Sequence, residues 1–174
     1  MIPSKLSTGA ASIRTHTPNL PLLRDEDQPF VYNISMYNRP YRFEFHDTAA
    51  PDNYTLLQPD YVLLCYDISD RRSLVNVQHA WWPKMVEWYM KARDDIPIML
   101  LGLKRDLRVE GGDVDTIYPQ EGHRVSAELR CDQYAECSAV TGELMGEVFE
   151  DVARRAAKTT TSAGGIGEMS CTIV

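Results

Sequence analysis

Two uninterrupted apolar runs constrain the fold of this chain more than any other feature. Residues 61–68 read Y-V-L-L-C-Y-D-I, and residues 97–103 read P-I-M-L-L-G-L. A strand with one wet face alternates apolar and polar residues. A continuous run needs cover on both faces, which is the situation of a strand in a parallel sheet. Between the runs, Leu74, Val77, Trp81, Met85, Trp88 and Ala92 recur at helical spacing, so a helix carries the chain from one strand to the next. Pro83 falls inside that pattern and predicts a kink or a fresh helix start, because it has no N–H for the preceding turn.

The remaining elements extend the same reading. Residues 30–36 (F-V-Y-N-I-S-M) have strand composition, and Asn38, Arg39 and Pro40 supply turn chemistry. Tyr41, Phe43 and Phe45 then alternate with Arg42, Glu44 and His46, which makes a hairpin. A short strand over 134–138 follows a helix starting near Gln120, and Met145, Val148, Phe149, Val152 and Ala156 mark a last amphipathic helix. A hairpin followed by strand–helix repeats reads as an α/β fold with a doubly wound, mostly parallel sheet. Residues 1–29 hold four prolines and no periodicity and read as an unstructured leader. The domain then spans 30–158, and the Thr/Ser/Gly-rich stretch 159–174 reads as a flexible tail.

Composition removes several function classes. A net charge of −7 offers no basic stripe to release counterions, so nucleic acid is not the partner. No apolar run approaches the roughly 20 residues of a membrane span. Cys65, Cys131, Cys137 and Cys171 lack paired spacing, which argues against a disulfide framework or a zinc site and for a reducing compartment. His16, His46, His79 and His123 are scattered without ligand spacing. Residues 1–24 have no apolar core of a secretory signal; their basic, acid-free character resembles a transit peptide, but Pro3, Pro18 and Pro21 interrupt the helix it would need.

The chemistry sits at strand ends, where open α/β sheets bind ligands. Asp47-Thr48-Ala49-Ala50-Pro51-Asp52 follows the hairpin, Gly102-Leu103-Lys104-Arg105-Asp106 follows the second apolar run, and Glu136-Cys137-Ser138-Ala139 follows the last strand. Singly, each is a solvated turn or a helix cap. In this order, with D-T-A-A, L-K-R-D and E-C-S-A each on its own strand end, the chain resembles a Ras-superfamily small GTPase, most closely the Rho family. W-W-P in the central helix, Tyr118-Pro119-Gln120 and the terminal Cys171-Thr172-Ile173-Val174 add to the resemblance, which runs from about Phe30 to the end.

The resemblance implies a small-G-protein fold and a GTP/GDP switch that uses Mg2+. Asp106 would accept two parallel hydrogen bonds from the guanine N1–H and exocyclic amine, which adenine cannot offer. Lys104 would lay its aliphatic stem on the purine, and backbone N–H groups around Ser138 and Ala139 would reach the guanine O6. Asp47 would hold the magnesium indirectly, through a water. The terminal C-a-a-X box implies prenylation at Cys171, with Val174 not choosing the lipid. One lipid without a polybasic patch or second cysteine gives reversible attachment to the cytoplasmic membrane face. Effector and regulator proteins of Rho type are the implied partners.

The departures from the family are as informative. No G-x-x-x-x-G-K-[ST] occurs in these residues: Gly9 has no such sequel, Gly102 precedes the base-reading motif, and Gly164-Gly165 lies near the end. The family's first strand, phosphate loop and first helix would precede Phe30, where no apolar run stands, so two neighbouring strands are expected to show unpaired edges. Pro51 holds the place of the water-orienting Gln, Ala50 that of the Gly beside the γ-phosphate, and Phe30 that of the switch threonine. Leu103 replaces a Thr or Asn, and the loop after Asp106 is short for a Rho insert helix. These positions predict that no residue of this chain is catalytic, that hydrolysis is lost and that nucleotide binding is impaired. The alternatives are a pseudo-GTPase scaffold that binds effectors without nucleotide, or an unrelated α/β enzyme that shares only the strand-end motifs.

Overall fold

A computed structural model of the chain describes residues 27–36, 39–47, 57–91, 93, 95–109, 111, 114–161 and 169–173. Both apolar runs are strands: β3 (Val62–Asp67) and β4 (Ile98–Leu103), joined in parallel with Val62 across from Ile98 and Asp67 across from Leu103. β5 (Gln133–Glu136) adds to β4 in parallel, with Gly102 across from Glu136. This register brings the three carboxyl ends to one edge of the sheet. Cover on both faces is realised in β4, where Ile98 to Leu101 are all buried. In β3 it is not: Val62, Leu64 and Tyr66 are buried, while Cys65 on the opposite face is exposed.

The predicted crossover helix is present as a run of segments, and Pro83 stands in the first turn of one of them, as a fresh helix start. The helical path starts at Asp70, whose side chain accepts from the Arg72 amide. It runs through α1 (Arg71–Asn76), a π-helical stretch (Val77–Trp81), α2 (Trp82–Met85) and a second π-helical stretch (Val86–Met90). The widened turns take up the missing Pro83 donor, and the Trp82 amide reaches back to the Val77 carbonyl. Leu74, Val77, Met85 and Tyr89 bury one face against Val62, Leu64 and Tyr66 of β3. Ala92 lies outside the described residues. α3 (Pro119–Glu128) completes this side with Val125, and the paired Arg71 and Glu121 side chains clasp α1 to it.

The hairpin also forms as expected. β1 (Phe30–Met36) and β2 (Arg39–Phe45) are antiparallel, with Phe30 across from Phe45 and Ile34 across from Tyr41. Alternation places Tyr41 and Phe43 in the interior at 2% exposure each, while Arg42 and Glu44 pair at 3.0 Å on the other face. α4 (Met145–Thr161) lays Val148, Val152, Ala153, Ala156 and Ala157 over Tyr41 and Phe43 of β2 and Met99 and Leu101 of β4. Its outer face carries an Arg154–Glu150 pair, one helical turn apart.

Two sequence expectations need correction. The stretch read as a flexible tail begins as helix, since α4 runs to Thr161, and includes a strand, β6 (Met169–Ile173). β6 joins β2 in parallel, with Tyr41 across from Met169, Phe43 from Cys171 and Phe45 from Ile173. Moreover, among the described residues the single doubly wound sheet is two three-stranded sheets, ordered β1-β2-β6 and β3-β4-β5. The physical reason is the same for both. β2 has β1 on one side only, and the backbone groups along its other edge need partners. The C-terminal segment, ending in β-branched Thr172 and Ile173, supplies them.

Removing residues 169–174 strips that edge of its ladder. At about 0.5–1.5 kcal/mol per net hydrogen bond, a strand of this length is worth about 2–5 kcal/mol. Urea denaturation of the shortened chain is expected to show a loss of that order, with increased self-association. An unchanged midpoint would mean that β6 contributes nothing to the fold.

Candidate functional site

The carboxyl edge of β3-β4-β5 carries two interlocked loops. After Leu103 the chain turns sharply: Lys104 adopts the left-handed conformation (φ 58°, ψ 43°), and Arg105–Leu107 forms a single 3-10 turn closed by the Leu107 amide on the Lys104 carbonyl. A non-glycine residue in that region is uncommon and is held there by its surroundings. The second loop follows β5. Its Cys137 amide donates to the Gly102 carbonyl at 2.9 Å, and its Cys137 carbonyl accepts from the Arg105 amide at 3.1 Å.

These backbone bonds set Asp106 against Ser138. The Ser138 hydroxyl, fully buried, donates to Asp106 Oδ1 at 2.5 Å and accepts from the Thr141 amide at 3.2 Å. The Ser138 amide is taken up by the Glu143 carbonyl at 3.0 Å, so Ser138 acts through its side chain, as the orienting partner of Asp106. Ala139 is exposed at the start of the turn beyond it. A carboxylate with one oxygen fixed by a hydroxyl still has lone pairs on both oxygens, which suits a planar donor pair.

Lys104 extends to Asp67, the last residue of β3. Its Nζ pairs with Asp67 Oδ2 at 2.6 Å, and Asp67 Oδ1 accepts from both the amide and the hydroxyl of Ser69. Burial pushes the Asp67 carboxyl up, but the Lys104 ammonium and the Ser69 donors outweigh it and hold the acid below its usual range. The same hydrogen bond raises Lys104. The signal for Asp67 was available in its position, as the last residue of one strand beside the ligand-bearing end of the next.

Beneath the loops lies an ion-paired network. Glu136, 7% exposed, receives both guanidinium nitrogens of Arg108 at 2.6 Å each and lies 3.5 Å from Arg105 Nε. Arg108 also donates to the Ile117 carbonyl, while Tyr134 donates to Glu136 and meets the Tyr66 hydroxyl at 3.0 Å. Burial pushes Glu136 up, and the Arg108 and Tyr134 hydrogen bonds more than reverse it, so the acid is charged at neutral pH. Burial likewise lifts the Tyr66 phenol to about 12. The Glu of E-C-S-A is therefore a brace that ties the chain after Asp106 to β5.

Asp47 belongs to a different strand end from these residues. It follows β2 on the other sheet, exposed, with its amide donating to the Gln28 side chain at 2.9 Å. Thr48, Ala50 and Pro51 lie outside the described residues. Among the described residues no group of three or more His, Cys, Asp or Glu could hold a metal ion. Cys171, the lipidation candidate, sits in β6.

Two outcomes follow from this geometry. Glu136→Ala leaves the Arg108 guanidinium buried without its partner and is expected to cost about 3–5 kcal/mol in urea denaturation; a loss under about 1 kcal/mol would exclude the bracing role. The Asp67–Lys104 pair has an exposed lysine and is worth only about 0.2–1 kcal/mol. Its sign is fixed by the shifts. The advantage of the native chain over Asp67→Asn should be complete between the ordinary values of 3.8 for the acid and 10.5 for the lysine. It should vanish as pH falls through the depressed Asp67 value or rises through the elevated Lys104 value, which paired melts across pH would show.

Comparison with known proteins gives the same direction as the site. A sequence model of the Ras family matches residues 27–158. The chain is 33% identical over 138 residues to the Ras-like GTP-binding protein RhoL of Drosophila melanogaster, covering 74% of this chain and 70% of that protein. It is 32% identical over 127 residues to the Ras-like GTP-binding protein RHO1 of Entamoeba histolytica, covering 70% of this chain but only 56% of that one. With two strand-end loops locked together under a common edge and a match across most of the domain, the chain belongs to the Ras family of small GTPases.

Proposed function

We propose that this chain is a Rho-like small-GTPase homologue that keeps the guanine-selecting half of the site and not the phosphate-processing half. The observation that carries the reading is the Ser138–Asp106 hydrogen bond between two loops fixed by backbone pairing, which presents a preoriented carboxylate at the sheet edge. Asp106 would read the guanine N1–H and amine. Lys104, its ammonium held by Asp67, would offer its stem as the stacking surface, and the turn at Ala139 would face the base oxygen.

Phosphoryl transfer is almost entirely positioning and charge stabilisation. These residues contain no phosphate-loop sequence, Pro51 replaces the water-orienting Gln, and Asp47 stands without companion ligands among the described residues. The phosphates of a bound nucleotide would therefore add little, and the chain itself would not hydrolyse GTP. In signalling it would act through regulator and effector proteins of Rho type. Prenylated at Cys171, it would visit the cytoplasmic face of a membrane reversibly, because a single lipid gives marginal binding.

Calorimetric titration tests this directly. Guanosine and GDP with Mg2+ are expected to bind within about tenfold of each other, since ~1.4 kcal/mol bounds what unpartnered phosphates add. Asp106→Ala should weaken both by about 10–100-fold, the worth of a charged hydrogen-bond pair at ~1.5–3 kcal/mol. Nanomolar GDP affinity or measurable GTP turnover by this chain would overturn the divided site. Absence of any guanosine binding at millimolar concentration would leave the nucleotide-free scaffold in its place.

A further inference from the structure

Between the β1–β2 hairpin and α4 runs an apolar groove of about 430 Å³. Tyr32, Ile34, Phe43, Phe45, Met145 and Phe149 line it, and among the described residues no charged side chain does. Phe45 is the centre of an aromatic row, edge-on to Tyr32 at 5.6 Å and to Phe149 at 5.7 Å. Tyr32 and Phe149 are 52% and 46% exposed, so the mouth of the groove meets water with its rings. Its volume falls in the roughly 300–1,000 Å³ range of small-molecule sites, and an uncharged aromatic lining selects a hydrocarbon.

The register of β6 points to one occupant. Phe43 and Phe45, which line the groove, stand across from Cys171 and Ile173. Residues matched across parallel strands belong to the same face of the sheet, and adjacent strands lie about 4.8 Å apart. The backbone thus sets Cys171 at the position beside Phe43, on the groove face. We infer that the groove is an intramolecular seat for an isoprenoid carried by Cys171 of the same chain. This rests on the prenylation reading above and adds where the lipid goes.

The covalent step is ordinary thioether formation. In a prenyltransferase, the Cys171 thiolate attacks the allylic carbon of an isoprenoid diphosphate. The C–S bond forms, the C–O bond breaks, diphosphate leaves with its electron pair, and the thiol proton passes to solvent. With the lipid on Cys171 and β6 on β2, groove and bilayer compete for the same hydrocarbon. Partition then depends on the groove lining as well as on the lipid, in a chain whose residues 159–174 hold Lys-free, Arg-free sequence.

The test uses the full chain incubated with farnesyltransferase and farnesyl diphosphate, or with geranylgeranyltransferase and its substrate, followed by sedimentation with neutral phosphatidylcholine vesicles. Modification at Cys171 is read by mass spectrometry, with Cys171→Ser as the unmodified control. The modified native chain is expected to stay mainly in solution. The modified Tyr32→Asp/Phe149→Asp double variant, changed only at the exposed mouth, should partition about tenfold more into vesicles, a shift of ~1.4 kcal/mol. Equal partition of two modified chains with matched thermal melts would overturn the groove. If the double variant does not fold, isotope-filtered NMR on the modified native chain decides: contacts from isoprenoid methyls to the Phe43 and Phe149 rings are required, and their absence overturns the inference. If neither enzyme modifies Cys171, the prenylation reading itself fails and the seat falls with it.

Discussion

Two three-stranded sheets with no shared ladder among the described residues are joined here by one apolar face of one helix. Val148, Val152, Ala153, Ala156 and Ala157 of α4 touch aromatic side chains from β2 and aliphatic ones from β4 at once. Full burial of a single valine is worth about 1.5–3 kcal/mol, so this face outweighs any single hydrogen bond in the molecule. The small alanines matter as much as the valines, because they let the helix approach both sheets closely. Everything else at the site presumes that α4 holds: the turn from Ser138 to Leu144 is the segment that leads into it, and the groove is the space it leaves over the hairpin.

The site depends in turn on a buried brace rather than on its own loops. Arg108 and Glu136 fix the chain on either side of the Asp106–Ser138 contact, and both are nearly removed from solvent. A bidentate guanidinium–carboxylate pair has one good geometry, so it locks the spacing between loops that would otherwise be joined only by exposed turns. The candidate site residues are thus held by charge from the Arg108–Glu136 pair, while Lys104 and Ala139 stay exposed. This division separates Glu136, a structural member of its motif, from Ser138, which faces the candidate ligand side through Asp106.

Much of this was legible in the sequence. The continuous runs gave β3 and β4, the alternation of Tyr41, Phe43 and Phe45 gave β2 and its inward face, and the 145–156 pattern gave the buried stripe of α4. The three strand-end motifs pointed to Lys104, Asp106, Ser138 and Ala139, which the register then set on one edge. What was not legible depended on the pairing of strands distant in sequence. Asp67 became the partner of Lys104 only because β3 and β4 end flush. Pro83 read as a kink or a fresh helix start, and it stands in the first turn of α2, a segment set between two widened stretches of the same helical path.

Periodicity, apolar runs and motif spacing by themselves determined the elements, the parallel pairing of the central strands and the family resemblance, because each depends on residues close together in the chain. The fate of the C-terminal segment was decided elsewhere. M-S-C-T-I is too short and too polar around it to declare a strand alone, and it becomes one because β2 offers an unpaired edge 128 positions away in sequence, a need that only the folded sheet creates.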